Sequence, residues 1–263
     1  MLAAPNALWY ERFMTKSIAT AALVRHRQHG PPLGPLAGVS TGLLLAALAG
    51  SAALGGTVPS PYAPAPVIQA YFRSEPDAVR AVGVLLFASS VPLSIYAATA
   101  SARLRQLGVT APGATIALAG GLLSAGALAL SGLLQWTLSR PAVRADEPLV
   151  RALHDLAFLA GGPAHVVFLG LLLAGVAVPG LLLRLLPRQL AWAGLGIAVL
   201  AELCTLTLVW PGLSVLLPLA RFPALAWLIA AGLRLPYRRS RAHRTGAPRR
   251  ETPGRGAGVV GAR

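Results

Sequence analysis

The sequence predicts an all-α, polytopic membrane helix bundle with six transmembrane helices and cytoplasmic N and C termini. Three observations carry this expectation. Of the 263 residues, 55% are hydrophobic and 12% are charged, with a mean hydropathy of +0.64, whereas a soluble domain carries about 25% charged residues. Six apolar segments follow one another along the chain, each long enough to supply the ~20 residues that cross a hydrocarbon core of ~30 Å. Lys and Arg crowd the tails and alternate connections, as membrane anchors do.

The predicted spans are 36–58, 78–102, 113–138, 156–183, 189–209 and 212–233. None alternates strictly between apolar and polar residues, and each is too long for a barrel strand. The chain therefore divides into a basic N-terminal tail (1–35), a six-helix transmembrane domain (36–236) and an Arg-rich C-terminal tail (237–263).

The N-terminal tail holds Glu11, Arg12, Lys16, Arg25, His26, Arg27 and His29. Its apolar piece, 17–24, is short and is followed by no small-residue cleavage site, so no cleaved signal peptide is expected. Translation from Met1 and from Met14 both fit. The C-terminal tail lacks apolar periodicity and is expected to be disordered, with its first basic cluster against anionic lipid head groups.

Orientation follows from counting. With the N terminus inside, the cytoplasmic segments carry 17 Lys and Arg, including Arg103, Arg105, Arg184 and Arg188, against two acids, Glu11 and Glu251. The outer segments carry five, Arg73, Arg80, Arg140, Arg144 and Arg151, beside five acids. The excess of Lys and Arg near span ends marks the cytoplasmic side. Trp136, Trp192 and Trp210 fall at span ends and Tyr237 follows the last one, where amphipathic rings favour the interface. The first outer loop contains Pro59, Pro61, Pro64 and Pro66 and begins stiff and extended; its second half, 67–73, is expected to form a short interfacial helix.

Small residues recur within the spans: Gly50, Ser51, Gly55 and Gly56, then Gly120, Gly121, Ser124, Ala125 and Gly126, then Gly161 and Gly162, then Gly170 and Ala174. They let helices approach closely, and such faces would serve a homo-oligomer as well as the bundle. Pro92, Pro163, Pro179 and Pro218 also fall within spans, where each frees a backbone carbonyl. The two halves show no repeat, so an inverted-repeat transporter is not supported.

Two formally charged residues lie inside the spans away from their ends, Glu202 and Arg221. A charge at the bilayer centre costs about 2.5–3.5 kcal/mol on insertion scales, so such residues normally face the bundle interior and pair. At 1.5 Å per residue, Glu202 lies about 10 Å and Arg221 about 13 Å below the outer ends of neighbouring antiparallel spans. His165 on the fourth span lies about 13 Å deep, after the helix-loosening run Gly161–Gly162–Pro163. Together they define a candidate intramembrane polar cluster, with Asp155 and His154 near its outer mouth. In one reading Glu202 and Arg221 lock two helices as an ion pair while His165 bonds a backbone carbonyl. In the other the cluster binds a ligand or a proton.

Other chemistries lack a signature. No HxxxH, HExxH or CxxC spacing occurs, and His154 and His165 stand about 16 Å apart along a helix, too far to share a metal. Ser131 and Ser139 have no neighbouring base. GLSVL around Ser214 lacks the second glycine of a nucleophile elbow, and GATIALAGG lacks the strand and phosphate setting of a dinucleotide loop. No catalytic residue, cofactor or metal is expected. The lone Cys204 sits in an apolar run and packs as a small hydrophobe. The net charge of +15 lies in tails and short loops rather than on a folded basic face, so no nucleic-acid partner is expected.

The stretches GGPAH, LLPRQLAW, AEL and ARFP, with STGLLLAALAG, a Pro-rich loop and YFR upstream, resemble uncharacterised multi-pass membrane proteins common in actinobacteria, a domain-of-unknown-function type of about six spans. The likeness covers about residues 36–236 and implies the architecture and a bacterial plasma membrane, but no activity or substrate. The richness in Ala, Arg, Gly and Pro with little Lys also resembles a high-GC genome. Three functions compete: a sensory, accessory or structural membrane component; a small transporter or channel-like protein using His165, Glu202 and Arg221; and, most distantly, a membrane-embedded enzyme.

Overall fold

Wherever the sequence strings together some twenty apolar residues, backbone polar groups can be satisfied within the segment only by a helix. A computed structural model describes residues 30–54, 58–110 and 112–236. Its elements are α1 (Leu33–Leu54), α2 (Ala65–Ser74), α3 (Pro76–Gln106), α4 (Gly113–Leu138), α5 (Pro141–Arg144), α6 (Glu147–Leu159), α7 (His165–Leu182), α8 (Arg188–Leu203) and α9 (Leu216–Arg234). A π-helical turn, Ala160–Ala164, joins α6 to α7, and two 3-10 segments, Cys204–Leu208 and Pro211–Val215, lead from α8 to α9. Six helical units are long and apolar enough to cross a membrane, the fourth being the continuous run Glu147–Leu182. The described residues contain no strand, and the expected all-α bundle is what forms. The tails 1–29 and 237–263, with Met14, Tyr237, Gly55 and Gly56, lie outside the described residues.

Local chemistry sets the helix ends. Pro31 and Pro32 stand before α1 and fix its start at Leu33, three residues earlier than the apolar run suggests. The fourth span starts at Glu147 rather than 156, because Asp146 Oδ1 accepts the Leu149 N–H at 3.1 Å and Pro148 occupies the first turn. Gly108, at φ 88°, follows the end of α3. The end of α7 places Arg184 in the left-handed region at φ 53°, while the Leu185 N–H reaches back five residues to the Gly180 carbonyl at 2.9 Å. The short helix expected at 67–73 is α2. The prolines inside helices are Pro92, Pro163, Pro179 and Pro223; Pro218 instead sits in the first turn of α9, where its missing N–H is tolerated.

The helices form a closed ring in chain order. Each spanning helix packs on its predecessor and successor, and α9 closes onto α1. The core runs from Leu33 and Leu44 through Leu93, Leu128, Leu169 and Leu172 to Leu228. Glycines set the closest approaches. A Cβ on Gly83 would stand 2.7 Å from both the Gly132 carbonyl oxygen and the Trp136 nitrogen, and one on Gly132 would meet the Gly83 oxygen at 2.7 Å. Backbones of α3 and α4 therefore touch directly, as in close helix pairs in membranes.

The two ends of the ring differ. At one, hereafter the capped end, α2 and α5 lie over α6 around a small core of Ile68, Phe72, Val79, Leu138 and Val150. Gln69 Nε2 and Arg73 Nε both donate to the Arg144 carbonyl at 3.1 Å, and Arg151 donates to the Ala63 carbonyl at 2.7 Å. The other end carries Arg103, Arg105, Arg184, Arg188 and Arg234. Trp136, Trp192 and Trp210 are exposed near helix ends, whereas Trp227 is buried and donates to the Leu190 carbonyl at 2.7 Å.

Candidate functional site

The π-helical turn follows from its sequence, AGGPA. Two glycines weaken the helix, and Pro163 removes an N–H from the ladder. The His165 N–H bonds to the carbonyls of Ala160 and Gly162 and passes over that of Gly161. Arg221, from α9, donates a guanidinium N–H to the Gly161 carbonyl. Gly161 also packs against Ser131 of α4, whose hydroxyl donates to the Ala157 carbonyl at 2.9 Å.

One turn further on, His165 is fully buried against Ser124. The Ser124 hydroxyl donates to the His165 carbonyl at 2.9 Å, and Nδ1 lies 2.9 Å from Ser124 Oγ and 3.1 Å from the Ser124 carbonyl oxygen. A carbonyl only accepts, so Nδ1 carries the proton and Nε2 a lone pair. Nε2 and the Nε of Arg221 make no hydrogen bond. Arg221 lies within electrostatic reach of the His165 ring and of the buried Cys204 thiol.

Glu202 is not part of this arrangement. The ion pairs among the described residues are Arg80–Asp77 and Arg151–Asp155, and Glu202 joins neither. The expected Glu202–Arg221 pair is therefore not formed. The buried stripe of α8 is Ala191, Gly194, Ala198 and Ala201, and Glu202, four residues after Ala198, stands at the edge of that stripe, about 60° from its middle at ~100° per residue. Its side chain is exposed on the outside of the bundle, with Oε1 lying 3.2 Å from where a Cβ on Gly170 would stand.

Asp155 and His154 do not open onto His165 either. Asp155 accepts from Arg151 at 3.0 Å, and the buried His154 ring stands edge-on to Phe72 with centroids 5.4 Å apart. The two belong to the capped end. Among the described residues, no three His, Cys, Asp or Glu side chains converge on a point where a metal could sit.

Several polar side chains in the spans join helices, while Ser90, Ser94 and Thr137 bond within their own helix. Ser40 donates to the Ser89 carbonyl at 2.8 Å, Ser101 to that of Ala114 at 2.7 Å, and Tyr96 to that of Leu228 at 3.1 Å. With Ser124, Ser131, Arg221 and Trp227, these bonds run from a side chain of one spanning helix to the backbone of another. The sequence singled out Ser124 as a small residue but gave no sign of its histidine partner. It also gave no sign of the Gly83–Gly132 contact, since Gly83 is the lone glycine of α3 and Gly132 lies six residues beyond the small-residue run of α4.

No family model, no curated protein and no solved structure matches the chain.

Proposed function

We propose that this chain is an accessory or structural component of a bacterial plasma membrane, with its capped end outside and both termini in the cytoplasm. The observation that carries the reading is the use of intramembrane polar groups as helix-to-helix ties. Ser124, Tyr96 and the guanidinium of Arg221 each donate from one span to a backbone carbonyl of another. A transporter needs intramembrane polar groups that converge where cargo can meet them. Here Arg221, Ser124 and Tyr96 are committed to the frame, and Glu202, which makes no hydrogen bond, lies on the outside of the bundle rather than with His165 and Arg221. The orientation is supported by the sequence count of 17 Lys and Arg on the tail side, most of them in the two tails, against five on the capped side, where five acids accompany them. The likeness to uncharacterised actinobacterial multi-pass proteins supports a bacterial plasma membrane, and its GGPAH and ARFP pieces coincide with the π-helical turn and Arg221.

Purified protein in vesicles tests the role. Under an imposed proton gradient and a potassium diffusion potential, the leak is expected to equal that of protein-free vesicles. A flux abolished by His165→Asn would overturn the reading. Single cysteines at position 60 and position 106, labelled in intact cells with an impermeant maleimide, test the orientation: position 60 reacts and position 106 does not.

A further inference from the structure

Glu202 is a carboxylate on the lipid-facing side of a spanning helix. Between it and the capped end lie Leu203 and the five-residue 3-10 segment Cys204–Leu208. At ~1.5 Å and ~2.0 Å per residue these place Glu202 about 12 Å below that end, close to mid-bilayer in a core of ~30 Å. Charged side chains in spans almost always face the interior and find a partner. Glu202 does neither: it is exposed and joins no ion pair or hydrogen bond in the structure.

Its surroundings form a helix face. Gly196, Val199, Leu203 and Leu206 are outward on the same side at helical spacing, and Thr205 adds an exposed hydroxyl one turn on. A Cβ on Gly196 would meet nothing within 4 Å, so another backbone can come close there. The face is apolar apart from one acid and one hydroxyl, which calls for an apolar partner bearing a hydrogen-bond-donating cation at the same depth.

A second copy of the chain does not supply that cation. The other charge deep in the spans, Arg221, is part-buried and committed to the Gly161 carbonyl. Two copies related by an axis along the membrane normal would bring Glu202 against its own mate, like against like. We infer that the α8 face around Glu202 docks a transmembrane helix of another protein carrying a Lys or Arg near mid-bilayer. This rests on the accessory reading and names the kind of partner it serves. The pairing would relieve both charges at once, since a buried cation and a buried carboxylate each cost far more alone than together.

The test uses full-length protein in phosphatidylcholine vesicles with two fluorescent probes, a single-span poly-leucine peptide with a central Lys and the same peptide with Leu there. Energy transfer reports association. The Lys peptide is expected to associate about tenfold more strongly than the Leu peptide. That preference should vanish in Glu202→Gln, and also in Val199→Trp, which blocks the face and leaves the carboxylate in place. Thermal melting confirms that both variants fold. Equal association of the two peptides would overturn the inference. So would self-association of the chain that depends on Glu202 without peptide, because a second copy would then cover the face. Either failure leaves the accessory reading standing if vesicles remain tight, whereas ion flux removes that reading whatever the peptides do.

Discussion

Arg221 donates to the carbonyl of Gly161, sixty residues earlier in the chain, and has no contact with the carboxylate of Glu202 one helix away. The guanidinium fills a gap in the backbone ladder. The π-helical turn leaves the Gly161 oxygen passed over by the His165 N–H, and a hydrogen-bond donor reaching in from α9 satisfies it.

That relationship sets the first expectation. Arg221→Leu strands the Gly161 carbonyl and should lower stability in detergent by about 1–3 kcal/mol. Glu202→Gln should change it little. In a double-mutant cycle the coupling between the two positions should stay within about 0.5 kcal/mol, as for residues that share no partner. A larger coupling, read from thermal melts, would mean that the two side chains meet.

Ser124→Ala removes both the bond to the His165 carbonyl and the oxygen facing Nδ1. Interhelical hydrogen bonds in membranes average about 0.6 kcal/mol and reach about 1.7, so a loss near the upper value is expected. Ser131→Ala, which gives up a single bond to Ala157, should fall nearer the lower. Melting midpoints of the two variants compared side by side decide this.

Gly83→Ala puts a methyl 2.7 Å from two backbone atoms of α4, which cannot move aside as a side chain could. A cost above about 2 kcal/mol is expected, as for overpacked cores, visible as loss of the monodisperse peak in gel filtration. Gly126→Ala, where a Cβ would meet nothing within 4 Å, should be neutral or stabilise by up to about 1 kcal/mol.

Arg184 occupies the left-handed conformation that helix ends usually give to glycine. Arg184→Gly should therefore raise stability by about 1 kcal/mol. An unchanged or lower melting temperature would show that the arginine side chain contributes more than its backbone costs.

Arg151 ties the chain before α2 to α6 through Ala63 and Asp155. Arg151→Ala should speed proteolysis within 58–64 and leave the melting of the spans nearly unchanged, because the opening is local. Mass spectrometry of the early fragments identifies the cleavage site.

The spans were legible because hydropathy needs only composition over twenty residues, and all six form. The polar cluster was legible only in depth. Position along a helix follows from counting residues, but direction around it depends on which stripe is buried. For α8 that stripe is small rather than bulky: Ala191, Gly194, Ala198 and Ala201. Read that way, Glu202 falls at the edge of the buried stripe, one turn after Ala198, and its exposure follows from the packing rather than from the pattern. The start of the fourth span was hidden for a different reason. Arg151, His154 and Asp155 lower its hydropathy although Asp146 and Pro148 mark a helix start. The Gly161 clasp had no sequence signal beyond Gly-Gly-Pro, because a π-helical turn is set by what packs around it.

The unit Glu147–Leu182 has 36 residues and so a length of about 54 Å, well beyond a hydrocarbon core of ~30 Å. It is a shaft running from the cap to the opposite end, with one joint at the π-helical turn. Arg221 and Ser131 brace that joint from opposite sides. The cap and the opposite end are therefore joined through a single helical element, whose one irregular turn is held by Arg221 on the Gly161 carbonyl.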